Sequence, residues 1–208
     1  MKTTTASART GRPKSLAKRE AILEASAHLF LQQGFKDTSV DAVAAAAGVS
    51  KQTVYSHFRG KDALLRACVE SKMDEHGLRV DHLPMDGPID AALKHFGRQF
   101  AALLNDEQVI CMYRLLISEA VAHPKVSQTF FDAGPKATRR ALARFLEQHP
   151  EGGSRFHESA RAAEMFFSLL EHVHVMERLL NLRGPMSPDE RRDHSDRMVD
   201  QFLAMHPA

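Results

Sequence analysis

Apolar residues recur at helical spacing along most of the chain. Ile22, Leu23, Ala27 and Phe30 fall on one stripe of a helix, and Gly34 supplies a stop signal. No stretch shows the apolar–polar alternation of a half-buried strand. The pattern predicts helices over residues 18–34, 38–48, 51–60, 61–77, 88–105, 107–122, 124–148, 155–182 and 187–205. The sequence therefore predicts an all-α fold.

Residues that break or cap helices refine these boundaries. Gly134 and Pro135 predict a kink or a split in the helix that contains them. The SPDE segment at 187–190 has the spacing of a capping box, with proline in the first turn. Residues 1–15 lack periodicity and are rich in Thr, Ser, Ala and basic residues. They predict a disordered basic tail.

Residues 48–65, GVSKQTVYSHFRGKDALL, place a short polar helix between two apolar helices. Ser50 is a natural N-cap for this helix, and Val54 and Phe58 share the face that must point inward. The outward face carries Lys51, Gln52, Tyr55, Ser56 and Arg59. A helix that follows a tight turn at Gly48 and exposes polar residues from its first turn is typical of a helix-turn-helix.

The polar side chains of this helix have a chemistry suited to DNA. Gln52 can form paired hydrogen bonds with adenine, Lys51 can reach guanine or a phosphate, and Thr53 can offer its methyl group to thymine. Phosphate contacts are predicted for Thr38, Tyr55 and Lys61. We also predict that Thr38 caps the helix over residues 38–48, where the N-terminus favours an anion.

The charge distribution supports a polyanion-facing N-terminal region. The whole chain carries a formal net charge of only +2. Residues 1–60 hold nine Lys/Arg against four Asp/Glu, whereas the remaining residues hold 19 against 22. A basic first third on an otherwise acidic chain favours a nucleic-acid partner, although basic tails are also common on other proteins.

Residues 18–65 resemble the DNA-binding domain of the TetR (tetracycline repressor) family of bacterial regulators. The carrying segment is ILEASAHLFLQQGFKDTSVDAVAAAAGVSKQTVYSHFRGKDALL, which ends in the family pattern GVS-x-x-T-x-Y-x-H-F-x-x-K-x-x-L. The resemblance implies a phosphate contact for Thr38, base or nearby backbone contacts for Lys51, Gln52 and Thr53, and backbone contacts for Tyr55, His57 and Lys61. For His57, packing at the edge of the core is an equal alternative.

The resemblance also implies the organisation of the rest of the chain. We expect a helix-turn-helix domain over residues 16–62 and a helical ligand-binding and dimerisation domain over residues 63–208. Family members are homodimers in which the last two helices of each subunit form a four-helix bundle. The broad apolar surface of residues 155–182 agrees with this, but a large core requires the same breadth. The predicted dimerisation residues are Leu169, Val173, Met198, Val199 and Phe202.

An effector pocket is expected on the central helices of the second domain. Small-molecule pockets are mostly apolar with a few orienting polar groups. The predicted lining is Phe96, Phe100, Met112, Leu115, Leu116, Phe166, Phe167 and Leu170, with His174, Arg114 or Glu119 supplying the polar groups. An aromatic stripe at helical spacing is also the pattern of a plain core, so that alternative stays open. The side chains favour an apolar effector.

Other classes of site find little support in the sequence. Cys68 and Cys111 form no close pair, which favours two reduced thiols. His172 and His174 are two residues apart and so lie on different helical faces, which disfavours a metal site. No catalytic or nucleotide-binding motif is apparent, so we predict no cofactor and no enzyme activity. No apolar run is long enough to span a membrane, and the N-terminus lacks a secretory signal, so we expect a cytoplasmic protein without a membrane partner.

The sequence therefore predicts a ligand-responsive, dimeric repressor that binds a near-palindromic DNA operator and is released by a small apolar effector. An activator of the same fold is the first alternative. A helical enzyme that uses the pocket for chemistry is the second.

Overall fold

The computed structural model describes residues 11–79 and 83–207, and all regular secondary structure in those ranges is helical. The predicted all-α fold is confirmed. In chain order the helices are α1 (Gly11–Asp37), α2 (Val40–Ala46), α3 (Lys51–His57), α4 (Lys61–Glu75), α5 (Ile89–Asn105), α6 (Glu107–Glu119), α7 (Pro124–Ala133), α8 (Pro135–Gln148), α9 (Gly152–Arg155), α10 (Ser159–Leu170), α11 (His172–Leu179) and α12 (Pro188–Ala204).

The chain divides into two compact units, the first ending at Cys68 and the second beginning at Val69. The division falls inside α4, shortly after the domain start predicted at residue 63. Residues 1–10 of the predicted tail lie outside the described residues. Its last five residues lie within the bounds of α1. In the described ranges, no helix combines the length and the apolar character that a membrane span requires.

The N-terminal unit packs α1 to α3 and the start of α4 around an apolar core. Its most deeply buried apolar side chains are Ile22, Phe30, Val43, Val54, Leu64 and Leu65. Helix α1 bends at Gly34, whose φ of 83° is outside the range that other residues adopt easily. The bend brings the Phe35 ring to 5.2 Å from the Phe30 ring, which closes the end of the core.

The cap of α2 differs from the prediction. Ser39, not Thr38, caps the helix, because the Ser39 hydroxyl accepts a hydrogen bond from the backbone N–H of Ala42 at 3.0 Å. The Thr38 side chain instead turns inward, is 1% exposed, and donates its hydroxyl hydrogen to the carbonyl of Gly34 at 2.7 Å. The bend in α1 therefore uses the hydroxyl that the sequence pattern assigned to the cap.

The C-terminal unit has a larger core centred on phenylalanine side chains from α5, α10 and α12. Phe96, Phe166, Phe167 and Phe202 are all at most 1% exposed, and the Phe166 ring meets those of Phe167 and Phe202 edge to face. Helix α5 approaches α12 at Gly97, where an added Cβ would lie 2.8 Å from Cγ2 of Val199. The absence of a side chain at Gly97 thus permits this close helix contact.

Helix boundaries in the C-terminal unit confirm two predictions and correct one. The predicted split lies between α7 and α8, and the Ser187 capping box at the start of α12 forms through both of its hydrogen bonds. The segment 155–182, predicted as one helix, is divided into the end of α9, α10 and α11. The break between α10 and α11 is at Glu171, whose ψ of −9° departs from the helical value and whose carboxylate binds Arg139 of α8.

Candidate DNA-binding face and candidate effector groove

The turn between α2 and α3 is fixed by its own backbone. Gly48 has a φ of 64°, and the N–H groups of Gly48 and Val49 donate to the carbonyls of Ala45 and Ala44 at 3.2 and 3.0 Å. This pair of bonds is the Schellman arrangement, which glycine favours because it carries no Cβ. The chain then turns directly into the cap of α3 at Ser50. The predicted helix-turn-helix geometry is therefore present.

The Ser50 cap leaves the first turn of α3 open to solvent. Its hydroxyl accepts from the backbone N–H of Thr53 at 3.1 Å and shares a 2.8 Å hydrogen bond with the Thr53 hydroxyl. Lys51, Gln52 and Tyr55 are exposed, whereas Thr53 is half-buried. We call Lys51, Gln52 and Tyr55 the recognition face. Because the hydroxyl of Thr53 is engaged with the cap, its methyl group is the part that suits the predicted thymine contact.

Lys51 is held at the edge of the recognition face by an acidic side chain of α2. Its ammonium lies 3.0 Å from the carboxylate of Asp41. This hydrogen bond and the charge of Asp41 raise the pKa of Lys51, so the ammonium stays protonated. Both side chains are more than half exposed. The recognition face thus presents a charge that is partly balanced before any anion arrives.

The other predicted DNA-binding residues differ in how far they are buried and in what they contact. The Lys61 ammonium donates to the carbonyl of Lys36 at 2.8 Å and lies 4.6 Å from the centre of the Phe35 ring, at the end of α1. His57 is half-buried, with its ring 6.2 Å from that of Phe58. A phosphate contact of His57 stays a prediction beside the packing alternative. For Thr38 the burial described above removes the hydroxyl from the surface, and Ser39 takes its place as the polar group at the start of α2.

Most of the predicted effector-pocket residues belong to the core. Phe96, Phe100, Phe166, Phe167 and Leu170 are buried within the cluster that fills the C-terminal unit. They face other side chains because α5, α10 and α12 pack against one another there. Met112 and Leu115 are half-buried and lie outside the groove described next, which contains Leu116 alone of the eight apolar residues.

An open groove with a volume of about 910 Å³ lies on the C-terminal unit, and we call it the effector groove. Its walls come from the end of α5, from α6, α7, α8, α10 and α11, and from the turn between α6 and α7. The apolar lining includes Leu104, Tyr113, Leu116, Ile117, Phe130, Phe131, Val173, Val175, Met176 and Leu179. Its volume lies within the range of small-molecule sites, roughly 300–1,000 Å³.

One ion pair lies in the wall of the effector groove. A guanidinium nitrogen of Arg139 lies 2.8 Å from the carboxylate of Glu171, and a second donates to the carbonyl of Pro135 at 3.2 Å. The guanidinium also stacks over the Phe167 ring at 5.2 Å, so packing fixes its plane. Burial, followed by the charge of Glu171, raises the pKa of the nearby Tyr113 hydroxyl to about 12. Tyr113 is therefore a neutral hydroxyl group at physiological pH.

Sequence reasoning missed the polar residues of this groove. Arg139 of α8 and Glu171, at the break between α10 and α11, are separated by 32 positions, so no local spacing identifies the pair. The apolar rim left a weaker signal, because Ile117, Phe131 and Met176 are large apolar residues on helices whose other faces already supply the core. These three side chains are 60%, 48% and 56% exposed, so they are not part of the core.

His174 is buried outside the groove. It is 7% exposed, and neither ring nitrogen has a hydrogen-bond partner within the described residues. Burial lowers its pKa, and the charges of Arg183 and Arg178 lower it further. The predicted role of His174 as an orienting group in the pocket is therefore not supported by its position.

Two of the predicted dimerisation residues belong to the core of their own chain. Val199 is 1% and Phe202 is 0% exposed, so neither reaches a surface that a second subunit could contact. Their face of α12 packs on α5 and α10, which the sequence alone could not decide. Leu169 and Met198 are half-buried at the edge of that core, and Val173 is 58% exposed. These three stay predictions.

A cluster of potential metal ligands also occurs at the end of α4. Ligand atoms of Glu75, His76 and Asp106 lie within 4.8 Å of one another. The ammonium of Lys72 lies 3.0 Å from Glu75 and 2.9 Å from Asp106. This lysine supplies the positive charge that the carboxylates require, and the cluster joins α4 to the N-cap of α6.

Family models match both units of the chain. Residues 22–68 match the model described as "Bacterial regulatory proteins, tetR family", and residues 91–207 match "AefR-like transcriptional repressor, C-terminal domain". The second match alone covers more than half of the chain. The boundary between the two matched segments agrees with the division of the structure into two units.

Curated relatives share parts of this sequence. The chain is 26% identical over 145 residues to the uncharacterized HTH-type transcriptional regulator YerO of Bacillus subtilis, covering 67% of this chain and 49% of YerO. It is 28% identical over 134 residues to the HTH-type transcriptional repressor LfrR of Mycolicibacterium smegmatis, covering 64% of this chain and 67% of LfrR. With SrpR of Pseudomonas putida it shares 38% identity over 66 residues, which is 32% of this chain and 30% of SrpR. The chain thus spans less than half of YerO and SrpR.

Solved structures match over nearly the whole chain. A structure described as a TetR-family transcriptional regulator from Mesorhizobium loti superposes with a TM-score of 0.74 at 26% identity, covering 94% of this chain and 99% of the other. The protein named flavonoid-responsive regulator FrrA superposes with a TM-score of 0.67 at 29% identity, covering 90% and 96%. The N-terminal helix-turn-helix and the C-terminal helical domain are thus shared with these proteins.

Proposed function

The chain belongs to the TetR family of bacterial transcriptional regulators, and from this premise we propose that it is a dimeric, ligand-responsive repressor. The observation that carries the proposal is the first turn of α3. The Ser50 hydroxyl caps this turn, backbone hydrogen bonds to α2 close the turn before it, and Lys51, Gln52 and Tyr55 remain exposed. An α-helix with exposed polar groups at its N-terminus fits the major groove of DNA.

The residues of the recognition face have two proposed roles, which are to recognise bases and to contact the phosphate backbone. Gln52 is the residue best suited to a base edge, because its amide can donate and accept at the same time. Lys51 and Tyr55 flank it and supply contacts to phosphates or nearby bases. A dimer would place two copies of α3 about one DNA turn apart, so the operator should be a near-palindrome with half-sites about 10 base pairs apart.

Repression rather than activation is favoured by the names of the relatives. LfrR is named a repressor, and the model matching residues 91–207 describes a repressor domain. A response to a small molecule is favoured by the effector groove, and FrrA is a flavonoid-responsive regulator by name. An effector that binds one conformation of the dimer better than the other would shift DNA affinity by that difference, typically about 1–3 kcal/mol. We further propose that the protein acts in the cytoplasm.

The DNA-binding proposal is tested by selecting genomic fragments that the purified protein retains and by measuring their affinity. We expect at least one near-palindromic site to bind roughly 1,000-fold more tightly than random DNA. Gln52→Ala should weaken that site by about 1–3 kcal/mol and relax the preference at one base pair of each half-site. Gln32→Ala is the matched control, because Gln32 is an exposed glutamine on α1 of the same unit.

Two outcomes would refute parts of this proposal. Equal affinity for selected and random DNA would reject specific recognition. A reporter gene that loses expression when the regulator is deleted would show activation instead of repression. Sedimentation of the free protein tests the dimer directly.

A further inference from the structure

The effector groove carries almost no net charge. Among the residues described as lining it, the charged side chains are Arg139 and Glu171, and they neutralise each other at 2.8 Å. The pair is mostly withdrawn from solvent, with 25% and 35% of the two side chains exposed. A ligand with a fixed charge would therefore meet a balanced pair, and its desolvation would not be repaid.

The walls of the groove favour a flat aromatic ligand. The rings of Tyr113 and Phe130 meet edge to face with their centres 5.2 Å apart, and Phe131 is 48% exposed beside them. Leu116 of α6 and Met176 of α11 extend this apolar surface. Aromatic rings in such a setting gain from edge-to-face or offset contacts with a further ring.

A neutral hydroxyl group on the ligand would match the polar groups of the groove. Tyr113 keeps its hydroxyl hydrogen at physiological pH and so can donate, while the carboxylate of Glu171 can accept. A ligand hydroxyl can accept from the first and donate to the second. An ionised carboxylate on the ligand could not donate to Glu171, and an ammonium could not accept from Tyr113.

We propose that the effector groove binds uncharged aromatic molecules that carry a hydroxyl group. The regulatory meaning of this binding rests on the proposed function, but the binding itself does not. Aromatic acids and aromatic amines of the same size are discriminated against, because each would leave one member of the Arg139–Glu171 pair opposed by a like charge.

The proposal is tested with a matched panel of 2-naphthol, 2-naphthoate and 2-naphthylmethylamine, titrated calorimetrically into the full-length protein without DNA. We expect 2-naphthol to bind roughly tenfold or more tightly than either ion. Equal or tighter binding of 2-naphthoate to the unmodified protein would overturn the proposal. Failure of all three compounds to bind would also overturn it.

Charge changes in the groove should invert this order. Glu171→Gln leaves Arg139 unbalanced, so 2-naphthoate should become the preferred compound. Arg139→Gln leaves Glu171 unbalanced, so 2-naphthylmethylamine should become preferred. The double variant restores neutrality and should restore the preference for 2-naphthol, which keeps the test decisive if one single variant fails to fold. Glu164→Gln, an exposed acid on α10 outside the groove lining, should leave the order unchanged.

The order of preference in the variants decides between this proposal and its competitors. An unchanged order in both single variants would show that the pair does not select the ligand and would overturn the proposal. Binding that appears only after the protein is dissociated into monomers would assign the groove to a second copy of the chain, with the same consequence. If 2-naphthol binds but does not release DNA, the ligand class stands and the proposed effector response fails.

Discussion

The recognition face takes its side chains from the first turns of one helix, whereas the effector groove draws on six helices and on residues from Leu104 to Leu179. The recognition face is polar and exposed, and its backbone is fixed by a local turn and cap. The effector groove is largely apolar, and its ion pair joins residues that are distant in sequence. A site formed by neighbouring residues can be inferred from their spacing alone. A site assembled from several helices depends on which helix faces are not buried in the core.

The largest expected effect separates core from groove within the phenylalanines of the C-terminal unit. Phe166 was predicted to contact ligand, but it is 1% exposed and lies among other rings. We expect Phe166→Ala to lower the free energy of unfolding by about 3–5 kcal/mol, measured by chemical denaturation. Phe131→Ala is the matched change in the groove. Because Phe131 is half exposed, its loss should cost about 0.5 kcal/mol or less and should weaken 2-naphthol binding.

The opposite result would reverse the assignment of these two rings. If Phe166→Ala retained its stability and lost ligand affinity, the ligand site would lie in the core, as the sequence pattern allowed. The effector groove would then not be the ligand-binding site.

A smaller effect compares equivalent caps in the two units. Ser50 caps α3 and Ser187 caps α12, each through a hydroxyl that accepts a backbone N–H. We expect Ser50→Ala and Ser187→Ala each to cost about 1 kcal/mol of stability. Only Ser50→Ala should also weaken DNA binding, because it loosens the turn that presents Lys51 and Gln52. Equal losses of DNA affinity in both variants would show that the effect follows global stability instead.

These comparisons show where sequence reasoning succeeds. The structure confirms the features that depend on residues a few positions apart. These are the caps at Ser50 and Ser187, the split at Gly134 and the inward orientation of Val54. The prediction that Thr38 caps α2 was wrong, because the bend at Gly34 places a backbone carbonyl where the Thr38 hydroxyl donates to it instead. Local propensity does not reveal such competition.

The second site was less predictable for a different reason. The apolar pattern correctly placed Phe96, Phe166 and Phe202 on inward faces, but it could not tell packing against the same chain from packing against a ligand or a second subunit. Only the folded structure shows that these faces are buried where α5, α10 and α12 pack against one another. The Arg139–Glu171 pair left no sequence signal, because only tertiary packing brings α8 next to the break between α10 and α11.

The pH dependence of stability tests a buried group that belongs to neither site. The pKa of His174 is lowered in the folded protein by burial, with Arg178, Arg183 and His194 adding positive charge and Glu177 opposing it. Well above pH 6.5 the imidazole is neutral in both states and has no effect on stability. As the pH falls below that value, the unfolded chain binds the proton more readily, so stability should decline until the folded pKa is passed.

Thermal unfolding between pH 7.5 and 5 checks this sign. We expect His174→Gln to show a shallower decline in stability over that window than the unmodified protein. An identical slope in both proteins would show that the decline comes from other groups. A steeper slope in the variant would mean that the positive charge on His174 is favoured in the folded state.

The smallest expected effect concerns the ion pair at the edge of the recognition face. Asp41 and Lys51 are both largely exposed, so their pairing should contribute at most about 1 kcal/mol. Asp41→Asn should leave the free energy of unfolding almost unchanged. It should strengthen binding to random DNA about two- to fivefold, because the Lys51 ammonium no longer has to leave a carboxylate to meet a phosphate. The operator should gain less if Lys51 contacts a base there, so the ratio of specific to random affinity should fall.

A double-mutant cycle separates the action of Asp41 through Lys51 from direct repulsion of phosphates. If Asp41 acts through Lys51, Asp41→Asn should have no effect on random DNA once Lys51→Met is present. An undiminished gain in that background would instead assign the effect to the carboxylate itself. Glu24→Gln, which removes an exposed acid from α1, controls for the change in net charge. A loss of affinity on Asp41→Asn would contradict both explanations and would mean that the pair holds Lys51 in the orientation that DNA requires.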